Sequence, residues 1–125
     1  MGSPRTGYRD LAVWRKAMDL TVVVYRLTAH FPDDERYGLT SQMRRCAASI
    51  PANIAEGRAR QGDTEFCRFL SIAAGSVAEL ETFLELSGRL EYASGPHLAQ
   101  ARASTAEVGK MIYGLINSVR QSADE

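Results

Sequence analysis

The stretch "SIPANIAEG", residues 49–57, decides how the chain is interpreted, because it places a proline between two segments rich in helix-forming residues. A proline inside a helix removes one backbone donor and clashes with the preceding turn, at a cost of about 3 kcal/mol. The stretch is therefore a loop that carries an active site, a break between two helices, or a bend within one helix. The polar Asn53 and Glu56 follow Pro51 closely, so the functional loop is the first alternative to weigh.

A helical wheel favours the bent helix. Apolar residues recur three or four positions apart on both sides of the proline, at Leu39, Met43, Cys46, Ile50 and Ile54. Asn53 and Glu56 fall on a polar stripe of the same helix, where Arg45, Ser49 and Asn53 are successive i,i+4 neighbours and some of them could satisfy the carbonyl that Pro51 leaves without a donor. The sequence predicts one helix over about residues 39–60, kinked at Pro51, with Pro51, Asn53 and Glu56 in structural roles.

Three further segments have helical periodicity, over about residues 10–31, 64–91 and 95–122, and no segment alternates as a strand does. We expect Asp10, Asp63 or Thr64, and Ser94 to cap these helices. Four helices joined by short links predict an all-α fold, an antiparallel up-down-up-down four-helix bundle. At 125 residues the chain has room for one domain, spanning residues 1–125.

Composition narrows the function classes. Fifteen basic residues balance fifteen acidic ones, so no overall field attracts nucleic acid. No apolar run is long enough to cross a bilayer, and the first residues have no apolar secretory core, which predicts a cytoplasmic protein without a membrane partner. Cys46 and Cys67 both lie in apolar-periodic segments, which favours buried reduced thiols over a disulfide.

Helices one and three each have more apolar surface than one bundle core requires. In helix one, one ridge contains Leu11, Trp14, Met18 and Tyr25, and the other Val13, Leu20, Val24, Leu27 and Phe31. Large apolar ridges on a soluble domain usually mark a protein interface, although a broad helix–helix contact inside the bundle is the alternative. The predicted homo-oligomer interface consists of Val13, Leu20, Val24, Leu27, Ile72, Glu79, Phe83 and Leu86.

Few residues suit catalysis. His30 and His97 are the only histidines, and neither has an acid or a cysteine at ligand spacing. No glycine-rich phosphate loop and no pair of Glu-x-x-His motifs is present. We therefore predict no catalytic residue, no metal and no cofactor, and a protein that is not an enzyme. Glu79, on an apolar line, is expected to form a structural ion pair with Arg44 or Arg45 rather than to act as a general acid.

Arginines concentrate around helix two and the start of helix three. The cluster contains Arg44, Arg45, Arg58, Arg60 and Arg68. Repeated cations can contact phosphates without a sequence motif, so these five residues are the candidate contacts for RNA or DNA. Salt bridges between subunits, on an otherwise solvated face, are the alternative role for the cluster.

Four long motifs carry a family resemblance. They are "YRDLAVWRKAMDL", "VYRLTAHFPDDERYGLTSQMRRCAASIPANIAEGRAR", "EFCRFLSIAAGSVAELET" and "EVGKMIYGLI". Together they resemble the bacterial four-helix-bundle family named for 23S rRNA intervening sequences. The resemblance implies an antiparallel bundle that assembles as a ring-like homopentamer. The chain is more distantly similar to accessory proteins of diversity-generating retroelements, which bind nucleic acid but are usually markedly basic.

Two functions remain open on the sequence. The first is a non-enzymatic homo-oligomer, pentameric by resemblance, that binds RNA or DNA through the arginine cluster. The second is a protein-interaction scaffold without a nucleic-acid partner. The cluster and the family context favour the first, and the neutral net charge favours the second.

Overall fold

The structure, a computed structural model, describes residues 6–124, and side chains as far as residue 122. It contains four α-helices: α1 (Ala12–Thr28), α2 (Leu39–Ala59), α3 (Asp63–Arg89) and α4 (Gly95–Asp124). Two short 3-10 helices, Tyr8–Asp10 and Asp33–Glu35, precede α1 and α2, and the described residues include no strand. The prediction of an all-α, four-helix fold is confirmed.

The ends of two helices differ from the prediction. Asp10 does not cap α1, because it belongs to the preceding 3-10 helix and Leu11 is the capping residue. The first helix ends at Thr28 instead of near residue 31. Pro32 disfavours helical geometry at the residue before it, so the helix could not run on through Phe31. Gly62, with φ 89°, stands at the N-cap of α3 in place of Asp63 or Thr64.

Each helix contacts two others, so the bundle is a closed square: α1 contacts α2 and α4, and α3 contacts α2 and α4. Between α1 and α2, Thr28 is hydrogen-bonded to Arg44, and Thr21 to Ala47. Residue numbers thus rise along one helix as they fall along the other. Between α2 and α3, the Ser49 hydroxyl donates to Ser76, and the Ser87 hydroxyl donates to the sulfur of Met43. Here too, residue numbers rise along one helix as they fall along the other. Adjacent helices in these pairs therefore run in opposite directions.

Half of the residues predicted for the oligomer interface lie in the core of the single chain. Val13, Leu20, Val24 and Leu27 are buried inside the single chain, none more than 8% exposed. A surface role for these four residues is wrong. Both ridges of α1 have apolar residues at helical spacing, and periodicity does not say which of them faces inward. The outward surface of α1 instead carries Met18, Val22 and Tyr25.

Pro51 lies in the interior of α2, which continues without a break to Ala59. The missing proline N–H leaves the carbonyl of Ala47 without its helical donor. The Thr21 hydroxyl of α1 lies 3.2 Å from that carbonyl and shares its proton with Ala17 O, 2.8 Å away. The donor predicted from α2 itself is therefore wrong. The bend angle at Pro51 stays a prediction.

The polar residues of α2 make other bonds. Ser49 donates to the carbonyl of Cys46 at 2.6 Å, and the Asn53 amide donates to the carbonyl of Ser49 at 2.8 Å. Glu56 forms an ion pair with Arg60, 3.4 Å away. Asn53 thus bonds within its own helix and Glu56 pairs at the surface.

Gly57 has a packing role in the same stretch. It is buried where α2 and α3 approach each other, and a Cβ at this position would lie 2.6 Å from Cβ of Phe69. No side chain fits at that separation, so glycine is required for the two helices to meet here. Pro51 and Gly57 both serve packing, and the stretch is not a catalytic loop.

Candidate interaction surfaces

The five predicted arginines do not form one patch. Arg58, Arg60 and Arg68, here called the turn arginines, lie at the end of α2 and the start of α3. Arg44 is fourteen residues before Arg58 on α2, which is about 21 Å along the helix axis at about 1.5 Å per residue. Arg44 and Arg45 therefore lie near the other end of the bundle.

The turn arginines pack on aromatic rings and pair with acids. The Arg58 guanidinium lies 5.2 Å from the Phe66 ring centre, and that of Arg68 lies 4.5 Å from the Phe69 ring centre. Arg68 also forms an ion pair with Glu65 at 3.1 Å. The hydrogen bond from Arg68 lowers the pKa of Glu65 and raises the pKa of Arg68 itself. With Glu56 paired to Arg60, carboxylates lie beside both Arg60 and Arg68 at this turn.

Arg44 has a structural position. It is half-buried, its Nε donates to the Thr28 hydroxyl at 2.8 Å, and its guanidinium lies 4.7 Å from the Tyr25 ring centre. Arg45 is exposed and donates to the Ser41 hydroxyl within its own helix. Neither arginine pairs with Glu79. The predicted ion pair is wrong because Glu79 is exposed to solvent, where a carboxylate needs no cationic partner.

Cys46 is the most perturbed titratable group of the described residues. Burial raises the pKa of its thiol to about 12, with added contributions from the hydrogen bond and the negative charge of Glu79. A thiol that stays protonated at neutral pH is a poor nucleophile. Both cysteines are free thiols; Cys46 is buried, as predicted, whereas Cys67 is only half-buried.

Exposed apolar side chains form one group along α1 and another along α3, while Tyr37 and, on α4, Tyr113 are exposed singly. Six side chains are each between 41% and 46% exposed: Met18, Val22 and Tyr25 on α1, and Ile72, Leu86 and the C-cap residue Leu90 along α3; we call these two groups the outer ridges. Of the α3 residues predicted for the interface, Ile72, Glu79 and Leu86 are exposed, and Phe83 is half-buried against the core.

The outer ridges lie on either side of α2. On the α1 side, the Tyr25 ring contacts Arg44 of α2. On the α3 side, Ser76 bonds to Ser49 of α2, and it shares a helix face with Ile72 and with Phe83. Helices α1, α2 and α3 therefore present one broad face that has an apolar ridge at each edge.

A cleft at one end of the bundle was not predicted. It has a volume of about 680 Å³ and lies where α1 ends and α4 begins. Both histidines of the chain, His30 and His97, line it together with Arg26. Because 67 positions separate the histidines (97 − 30 = 67), only the pairing of α1 with α4 brings them together. Among the described residues no three histidine, cysteine or acidic side chains are placed to hold a metal ion.

Comparison with known proteins agrees with this architecture. The family model of the 23S rRNA-intervening sequence proteins matches residues 9–114. The chain belongs to this family. The match confirms the resemblance inferred from the four sequence motifs.

A solved structure similar to this 23S rRNA-intervening sequence protein comes from Bacteroides thetaiotaomicron. It is a protein of unknown function from the S23 ribosomal protein family, with 26% sequence identity and a TM-score of 0.78. The similarity covers 84% of this chain and 95% of that one. No curated protein matches the sequence. Within the described helices, none is both long and apolar enough to cross a membrane.

Proposed function

We propose that this chain is a subunit of a homo-oligomeric scaffold, assembled through the face formed by α1, α2 and α3. The observation that carries the proposal is the pair of outer ridges, which leaves six large apolar side chains more than two-fifths exposed. Neighbouring exposed apolar side chains at helical spacing, such as Met18, Val22 and Tyr25, or Leu86 and Leu90, are typical of protein interfaces. Hydrophobic contact between the ridges of neighbouring subunits would remove it from water.

The positions of the ridges suggest how subunits join. Each subunit has one ridge on α1 and a different one on α3, so the α1 ridge of one copy can pack against the α3 ridge of the next. Such a head-to-tail contact uses two different surfaces and closes into a ring when the rotation between subunits allows it. The family resemblance supports a ring of five.

The proposal assigns no reaction to the chain. In support, the family is described without a reaction, the similar Bacteroides protein is of unknown function, and the Cys46 thiol is held protonated. We place the scaffold in the cytoplasm, which the two free thiols support.

Complementary variants test the head-to-tail arrangement. Val22→Glu puts a charge on the α1 ridge, and Leu86→Glu does the same on the α3 ridge. In sedimentation equilibrium we expect the unaltered chain at several times 13.7 kDa and each variant alone as a monomer. A mixture of the two variants has one intact junction per pair, so it should form a dimer and nothing larger.

Two results would contradict this proposal. If the unaltered chain sediments as a monomer at micromolar concentration, the proposed oligomer does not form. A mixture of the variants that stays monomeric, while the unaltered chain assembles, would show that the ridges do not meet each other. Glu107→Gln, on α4, is the control that should leave the assembly unchanged, since its ion-pair partner Lys16 is also exposed.

The second candidate function is binding of RNA or DNA at the turn arginines. The gathering of three guanidinium groups at one end of the subunit favours it, because a ring would repeat them on one face. Glu56 and Glu65, which pair with Arg60 and Arg68, reduce the positive charge there. The geometry therefore supports the scaffold more strongly, and a titration of nucleic-acid binding against salt tests the second candidate.

A further inference from the structure

The cleft between α1 and α4 has the size and the lining of a small-molecule site. Its volume of about 680 Å³ falls within the range of about 300–1,000 Å³ typical of such sites. It is lined by residues at the end of α1, in the α3–α4 turn and at the start of α4, and by none of the six outer-ridge residues. An inference about the cleft is therefore independent of the proposed assembly.

Three basic residues line the cleft. Arg26, His30 and His97 line it, and no aspartate or glutamate among the described residues does. Within residues 6–122, none of these three side chains forms a hydrogen bond or an ion pair. Arg26 differs in this from Arg102, which reaches across to Glu85 at 3.2 Å. The cleft thus offers one permanent cation and two imidazoles without competing intramolecular partners, a setting that selects an anion.

The rest of the lining is apolar. Leu27 and Ala93 are buried and Val23 is half-buried, and all three contribute to the wall of the cleft. A fully hydrated inorganic ion gains nothing from such surface. A ligand that covers it must carry a hydrocarbon or aromatic part beside its charged group.

One wall of the cleft is held in place before any ligand arrives. The Tyr92 hydroxyl donates to Glu35 at 2.9 Å, and its ring lies 5.4 Å from the ring of Phe31. The other carboxylate oxygen of Glu35 accepts the backbone N–H of Leu39 at 3.1 Å, which ties the wall to the start of α2. A preorganised wall reduces the entropy lost on binding.

We propose that this cleft binds a small organic anion that joins one carboxylate or phosphate group to an apolar body. Arg26, His30 and His97 meet the charged group, and the Val23, Leu27 and Ala93 surface contacts the apolar body. The ligand is held by charge-assisted hydrogen bonds at one end and by burial of apolar surface at the other.

Calorimetric titration of the full chain with phenyl phosphate tests the proposal. We expect saturable binding, and the Arg26→Gln variant should weaken it about tenfold, the equivalent of about 1.4 kcal/mol. Arg120→Gln is the matched control, because Arg120 is exposed on α4 and also has no hydrogen bond or ion pair within residues 6–122. It should bind like the unaltered chain. Equal affinity of the two variants would overturn the proposal.

Further probes separate the charged end from the apolar body. Inorganic phosphate should bind at least several-fold more weakly than phenyl phosphate, and benzyl alcohol, which has the ring without the charge, should not saturate the site. Equal binding of inorganic and phenyl phosphate would remove the role of the apolar wall. Benzoate distinguishes carboxylate from phosphate as the preferred head group, and saturable binding of either supports the proposal.

The ring proton and carbon resonances of His30 and His97, followed by NMR, locate the binding. Both should shift with phenyl phosphate, and the Val22→Glu monomer should show the same shifts, which separates this result from the outcome of the assembly test. Saturation without a shift of either histidine would overturn the proposal. Shifts caused by single-stranded RNA but by none of the small anions would assign the cleft to nucleic acid instead.

Discussion

The hydroxyl of Thr21 lies 3.2 Å from the carbonyl oxygen of Ala47, the acceptor that Pro51 deprives of its helical donor. Ala47 is fully buried, so water cannot take the place of that donor without entering the core. A side chain of α1 thus compensates for a proline in α2. The same hydrogen bond joins α1 to α2 and gives the Ala47 carbonyl a donor where Pro51 has none.

This relationship predicts a coupling between two substitutions. Thr21→Val removes the hydroxyl but keeps the shape of the side chain, and we expect it to lower the free energy of unfolding by about 1–3 kcal/mol. In a Pro51→Ala background the residue at position 51 has an N–H again, so the same change should cost clearly less. Urea unfolding of the unaltered chain, the two single variants and the double variant gives the coupling. An equal cost in both backgrounds would contradict the assignment, and Thr82→Val, at an exposed hydroxyl that donates to Ala78 of its own helix, is the control.

Gly57 predicts a second stability effect. Gly57→Ala would place a methyl group 2.6 Å from Cβ of Phe69, and the backbones of α2 and α3 would have to separate. Overpacking of this kind should cost about 1–3 kcal/mol in the free energy of unfolding. Gly75→Ala is the matched control, because Gly75 lies in α3 with open space around it, and there the better helix former should add about 0.5–1 kcal/mol. Equal effects of the two substitutions would argue against the close approach.

The pKa of Cys46 predicts a loss of stability in alkali. Its folded pKa is raised from 9.0 to about 12, so above pH 9 the unfolded chain loses the thiol proton while the folded chain keeps it. The unfolded state then binds fewer protons, and the contribution to stability falls as pH rises from about 9 to 12. Cys46→Ala should flatten this fall relative to the unaltered chain, measured by urea unfolding at each pH. Cys67→Ala is the control. If it reduces the loss of stability in alkali as much as Cys46→Ala does, Cys46 is not the cause.

The nucleic-acid candidate predicts a steep dependence on salt. Each phosphate neutralised contributes about −0.7 to −0.9 to the slope of log K against log salt, so a ring with several turn arginines should give a slope of several units. Labelled single-stranded RNA and duplex DNA, titrated from about 50 to 200 mM salt, test this. The double variant Arg58→Glu, Arg60→Glu should flatten the slope with the oligomer intact. If neither nucleic acid binds at the lowest salt, only the scaffold proposal remains. Arg45→Glu, at the far end of α2, is the control.

The architecture was predictable and much of the surface was not. Residues three and four apart identify a helix and its apolar faces, which located α2 through Pro51. They do not say which of two apolar faces turns inward, so Val24 was assigned to the surface although Val22 lies there. They also say nothing about how distant segments pack, so the cleft lined by both His30 and His97 was missed.

The arginines also show that sequence spacing does not give the packing of the helices. Arg44 and Arg58 are close in sequence, and their charges were added together, but fourteen residues of α2 separate them by about 21 Å along the helix axis. Glu79 was expected to need a cation because its neighbours at helical spacing are apolar. Its exposure removes that need, and exposure depends on how the helices pack.

The close contact at Gly57 has a consequence for the order in which the bundle folds. Only residues 60–62 separate α2 from α3, whereas α1 and α4 come together from opposite ends of the chain. The entropy lost on closing a loop increases with its length, so the α2–α3 hairpin is the least costly pair to form. We infer that this hairpin forms first and that the outer helices dock on it. In stopped-flow experiments Gly57→Ala should then act mainly on the refolding rate, and a change confined to the unfolding rate would show that the hairpin closes late.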